Sequence, residues 1–140
     1  MRKYLAVVFL VVIMILSGCN NKNMDYINEP STIGEENSYT QISMEKAVSM
    51  METETGYVIL DVRTPEEFAD KHIPNAINIP NEVIGTEEIA ELPDKDQLIL
   101  VYCRSGNRSK QASEKLAALG YTNIYEFGGI NDWTGETVSN

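Results

Sequence analysis

The chain is poor in several residue types, and each shortage narrows what it can be. Two cysteines, Cys19 and Cys103, and one histidine, His72, are too few for a metal centre of thiolates and imidazoles. Basic residues number 11 against 21 acidic ones, a net charge of −10. Such a surface repels nucleic acid and anionic headgroups, whose binding depends on clustered Lys and Arg. No internal repeat is present, and no apolar run approaches the about 20 residues that a bilayer-spanning helix needs. What remains, 140 residues at 43% hydrophobic and 23% charged, suits one soluble globular domain rather than a fibrous or wholly disordered chain.

The first eighteen residues do not belong to that domain. Arg2 and Lys3 precede twelve residues, 5–16, without a polar side chain, which is the size of a signal-peptide core. The sequence Leu16-Ser17-Gly18-Cys19 that follows resembles the bacterial lipobox. The resemblance implies cleavage before Cys19, lipidation of its sulfur, and attachment to the extracytoplasmic face of the membrane through lipid alone. Two acyl chains anchor durably, since each buried methylene contributes about 0.8 kcal/mol. The alternative is an uncleaved signal anchor with an ordinary Cys19. Loss of Arg2 and Lys3 leaves 9 basic and 21 acidic residues, a net charge of −12. Residues 19–38, rich in Asn, Glu, Ser and Thr, read as a flexible linker with a root-mean-square span of roughly 25 Å.

With Cys19 acylated, Cys103 has no partner within the chain, and a leftover thiol in an exported protein suggests intermolecular pairing or a reactive site. A buried inert thiol and a Cys19–Cys103 disulfide stay open on counting alone.

Residues 39–138 alternate between strand and helix signals. Apolar runs at 57–62, 76–79, 98–102 and 123–127 lack polar alternation, as strands covered on both faces do. Thr64-Pro65-Glu66-Glu67 spells an N-cap, a first-turn proline and a capping-box glutamate opening a short helix. Residues 109–119 carry Ala112, Leu116 and Leu119 on one face, with Gly120 placed to end the helix in a left-handed conformation. Weaker helical patterns lie at 43–51 and 86–91. The alternation predicts an α/β domain with a mainly parallel sheet, in which ligands bind beyond the carboxyl ends of the strands.

Cys103 stands at that end of the 98–102 strand, at the start of Cys103-Arg104-Ser105-Gly106-Asn107-Arg108. A tight loop from a buried strand into a helix converges backbone N–H groups on one point and adds the helix dipole, which favours an anion there. A cysteine in such a place beside arginine ionises more readily than the usual value of about 8.5 allows.

This loop is similar to the active-site loop of rhodaneses. Asp61-Val62-Arg63, the stretch from His72-Ile73-Pro74-Asn75-Ala76 to Pro80, and Gly128-Gly129-Ile130 with Trp133 resemble the family's other marks in the same order. The resemblance covers about residues 39–135 and implies a three-layer domain with a central sheet flanked by helices. It also implies a sulfurtransferase without cofactor or metal, which takes sulfur from a small anionic donor such as thiosulfate. Cys103 would carry the sulfur as a persulfide and hand it to a thiol or cyanide. Arg108 would face the substrate anion and Arg104 would add a second cation, while Ser105, Gly106 and Asn107 would contribute backbone amides. Gly106 would take a dihedral that side chains disfavour. Asp61 and Arg63 are expected to pair and brace the loop, and His72 and Trp133 to be structural. Lys71 and Asn75 stand where many family members have glycine, so the turn between them is the point of difference.

Two other functions compete. Cysteine phosphatases of related fold have five residues between cysteine and arginine, whereas four stand here, a smaller ring suited to a sulfur atom. An idle or redox-sensing module would use the same thiol, taken as exposed, for sulfenic acid or mixed-disulfide chemistry. The glycosylation pattern Asn107-Arg108-Ser109 is read as a chance match.

Overall fold

A computed structural model describes residues 38–140; the segment read as a signal, Cys19 and nearly all of the segment read as a linker fall outside the described residues. Each of the four apolar runs forms a strand, and a short one precedes them. In chain order the elements are β1 (Thr40–Gln41), α1 (Met44–Thr53), β2 (Val58–Asp61), α2 (Pro65–Asp70), β3 (Ile77–Asn78), β4 (Ile99–Cys103), α3 (Asn107–Ala118) and β5 (Ile124–Gly129). The strands form one sheet in the order β1-β5-β4-β2-β3, with every pairing parallel. One isolated antiparallel bridge, His72 to Val138, ties the C-terminal segment to the end of α2.

Both faces of the sheet are covered, which is why its strands are apolar throughout. Along β4, Ile99, Val101 and Cys103 pack with Ala112 and Leu116 of α3. The alternate residues Leu100 and Tyr102 pack with Ala47 and Met50 of α1. Burying one such Leu or Ile contributes about 1.5–3 kcal/mol. The pleat therefore aims Cys103 at the α3 side.

Local sequence sets the helix ends. Thr64 Oγ1 accepts the Glu67 amide and the Glu67 carboxylate accepts the Thr64 amide, closing the capping box. Ser43 caps α1, and Gly120 takes φ +91° after α3. Helix α3 begins at Asn107, two residues before the start read from periodicity, because the left-handed Gly106 (φ +100°) turns the chain directly from the loop into the helix.

The helix expected over 86–91 does not form; the segment bends at residues 86–87 and ends in a turn at residues 90–91. Buried Ile84 and Leu92 pin its two ends, and six residues holding Glu87, Glu88 and Glu91 gain too few hydrogen bonds to offset helix nucleation. Strand β1, absent from the sequence pattern because two exposed residues carry no period, is stabilised only by pairing with β5. At the turn after α2, Asn75 takes the left-handed conformation (φ +66°), which asparagine tolerates, and Lys71 is extended.

Candidate active site

Cys103 is the last residue of β4, where a register shift between Val101 and Cys103 sets it opposite Gly129 of β5. Its thiol is free and buried, 1% exposed. The Gly106 amide donates to Sγ at 3.1 Å, and Ser109 Oγ lies 3.5 Å from it. Burial pushes the thiol up; the Ser109 hydroxyl and the amides of Ser109, Ser105 and Gly106 outweigh it, and the net shift is downward. The anion-favouring loop read from the sequence is thus present, with Ser105 and Gly106 acting through their backbones.

The remaining loop residues divide. Asn107 is exposed at the first position of α3. Arg104 is exposed and lines a cavity of about 290 Å³ together with Lys71, Arg63, Glu67 and Asp70. Arg108, expected to face the substrate, is held by Glu67 in a two-pronged pair, Nη1 to Oε2 at 2.7 Å and Nη2 to Oε1 at 2.9 Å. That pair holds the Glu67 carboxyl at about 2. Arg108 still feels the Cys103 charge, which adds to its own upward shift behind the larger contribution of Glu67. Among the described residues the only ion pairs are Arg108–Glu67 and Arg63–Asp61, so Arg104 and Lys71 are the cavity's unpaired cations.

Asp61 and Arg63 pair as expected, with Nη2 to Oδ2 at 2.6 Å, both fully buried or nearly so. Arg63 also donates to the Lys71 carbonyl at 2.7 Å, so the brace holds the far end of α2 rather than the cysteine loop. His72 is buried, its ring stacked on Phe68 and its Nδ1 2.8 Å from the Phe68 carbonyl, a structural residue. Trp133 is half-buried against the α1-side core and donates to the Glu136 carbonyl.

Four participants escaped sequence reasoning. Ser109 was met only in a chance glycosylation pattern and Lys71 only as a departure from the family's glycine, neither as part of the site. Gly129 was read only as one of the family's marks, with no role of its own; a side chain there would overlap the Arg104 carbonyl oxygen, so the glycine admits the cysteine loop against β5. Glu126, 2% exposed, accepts the Ser109 hydroxyl at 2.6 Å. Its one visible signal was an acid inside an apolar strand.

The family pattern described as "Rhodanese-like domain" matches residues 43–136, about two thirds of the chain and the whole of this site. The chain belongs to the rhodanese-like domain family. Within it, the chain is 40% identical over 73 residues to the thiosulfate sulfurtransferase PspE of Escherichia coli, covering 52% of this chain and 70% of that protein. It is 34% identical over 97 residues to the thiosulfate sulfurtransferase GlpE of Actinobacillus succinogenes, covering 69% and 85%. Among solved structures, a rhodanese with anions from E. coli superposes with a TM-score of 0.55 at 39% identity, covering 60% of this chain and 99% of that one. The rhodanese-like fold accounts for the parallel sheet flanked by helices.

Proposed function

We propose that this rhodanese-like protein is an active sulfurtransferase in which Cys103 carries a sulfane sulfur from a small anionic donor, such as thiosulfate, to a thiol or cyanide. The observation that carries the reading is the downward-shifted Cys103 thiol with the Gly106 amide 3.1 Å from its sulfur. The Cys103 thiolate attacks the outer sulfur of thiosulfate; the new S–S bond forms as the old one breaks, and sulfite leaves with the electron pair. An acceptor thiolate or cyanide then takes the outer sulfur and returns Cys103 to its thiolate. Arg104 and Lys71 supply the unpaired positive charge that draws the donor in. The relatives named as thiosulfate sulfurtransferases support this chemistry.

We read residues 1–18 as an export signal and Cys19 as a lipid-bearing first residue, supported by the basic start, the short apolar run and the small residues before Cys19. The mature protein then works outside the cell with residues 39–138 as its domain.

The deciding experiment is the intact mass of the protein after incubation with thiosulfate. One added sulfur atom, removed by cyanide and absent from Cys103→Ser, is expected. Aryl phosphate hydrolysis without any sulfur adduct would replace this reading with the phosphatase.

A further inference from the structure

Glu126 is a buried acid to which sulfur transfer assigns no part. Its Oε1 accepts Ser109 Oγ at 2.6 Å and the Gly128 amide at 2.8 Å, and its Oε2 accepts Gln41 Nε2 at 3.1 Å. No Lys or Arg pairs with it among the described residues. Facing it are Gln41 and, from just before β1, the Tyr39 phenol, which burial, Glu114 and Glu126 together push upward; Ser109 faces it from α3 and Gly128 from its own strand. Behind Ser109, at the end of β4, lies Cys103. The acid and the thiol are therefore two ionisable groups in one buried space with one hydroxyl between them.

Ser109 has a single hydroxyl proton and four acceptors around it: Glu126 Oε1 at 2.6 Å, the Gly106 carbonyl at 3.0 Å, the Gly128 carbonyl at 3.4 Å and Cys103 Sγ at 3.5 Å. With that proton on the Glu126 side, Ser109 offers Cys103 only a lone pair, which fits the thiol. With a proton turned toward Cys103, Ser109 offers its lone pair to Glu126, which fits a carboxylic acid. The two arrangements contain the same number of protons and the same single negative charge. Two anions in this space would repel each other with little screening.

We propose that Cys103, Ser109 and Glu126 form a relay that shares one proton, so that Glu126 takes up the proton that Cys103 gives up. In the transfer the Cys103 S–H bond breaks as a new O–H bond forms on Ser109. The former Ser109 proton passes to Glu126 Oε1, and the charge moves from carboxylate to sulfur with no proton exchanged with solvent. Glu126 and Ser109 are positioning residues that ready the thiolate. The proposal concerns the resting thiol and goes beyond the sulfur-transfer reading, since it requires no donor.

The test titrates the full-length protein while following the ultraviolet absorbance of the Cys103 thiolate, with Cys103→Ser as the blank. The wild-type signal is expected to rise in two steps with a plateau between them. On the plateau, the infrared band of a protonated carboxyl should be present in wild type and missing from Cys103→Ser. Glu126→Gln should merge the steps into one that ends at least about one pH unit below the upper wild-type step. Ser109→Thr should keep both steps and Ser109→Ala should lose the lower. A single wild-type step unmoved by Glu126→Gln overturns the relay, and so does an equal carboxyl band in Cys103→Ser. Should Glu126→Gln fail to fold, the infrared comparison decides alone. Because none of these readouts uses a sulfur donor, a protein with relay signals but no sulfur adduct would refute the sulfurtransferase reading and leave the relay standing.

Discussion

Arg108 and Glu67 are joined by two charge-assisted hydrogen bonds of 2.7 and 2.9 Å, which link the first turn of α3 to the capping box of α2. The arginine that closes the cysteine loop is therefore already paired, and Arg104, next to Cys103, is the loop's unpaired cation. In a thiosulfate-to-cyanide assay, Arg104→Ala should raise KM for thiosulfate more than it changes kcat. Arg108→Ala should lower kcat/KM by about ten- to a hundredfold, the scale of a lost charge-assisted hydrogen bond. Glu67→Gln, by freeing Arg108, should lower KM. A Glu67→Gln variant with raised KM would show that the pair positions Arg108 for the donor instead.

The same pair sets an acid limit. Glu67 titrates at about 2 in the folded protein against an ordinary 4.5, so its contribution is complete above the ordinary value and is lost as pH falls toward 2. The pair is partly exposed, so the loss should be about 1 kcal/mol. Urea denaturation of wild type and Glu67→Gln between pH 6 and 3 checks this: the stability difference between them should shrink as the pH falls.

Gly129 leaves room for the Arg104 carbonyl at a distance where a Cβ would overlap it, 2.2 Å. Gly129→Ala should push the cysteine loop off β5, abolish sulfur loading and lower stability by about 1–3 kcal/mol, as overpacking does. Intact-mass analysis and thermal unfolding report the two effects separately.

Ser113, fully buried in α3, is the one buried side-chain polar atom without a hydrogen-bond partner among the described residues. Replacing it with alanine removes an unsatisfied hydroxyl and favours the helix, so Ser113→Ala should stabilise the protein by about 1 kcal/mol with activity unchanged. A drop in the denaturation midpoint would mean that the hydroxyl is bound.

Cys19→Ser should release the protein from membranes or leave an unprocessed precursor, while wild type partitions into detergent. Unchanged partitioning of the variant would remove the lipid anchor from the account.

Much of the fold was legible because its causes are local. The apolar runs of β2 to β5, the Thr64–Glu67 capping box, and the glycines that turn the chain at residues 106 and 120 act over a few residues, and the sequence shows them directly. The cysteine loop belongs with them, since a strand end, a glycine and a helix start are enough to gather amides around Cys103. What only the tertiary structure decided is how charges and hydroxyls meet across long separations. Glu67 lies 41 residues from Arg108 and Glu126 lies 17 from Ser109. Their partners are chosen by which helix the parallel sheet sets beside which strand. β1 and the 84–92 segment depend on the same packing, having no period of their own. The sequence by itself marked Cys103 and the amide-lined loop around it; the fold decided which acid holds Arg108 and which acid stands behind Ser109.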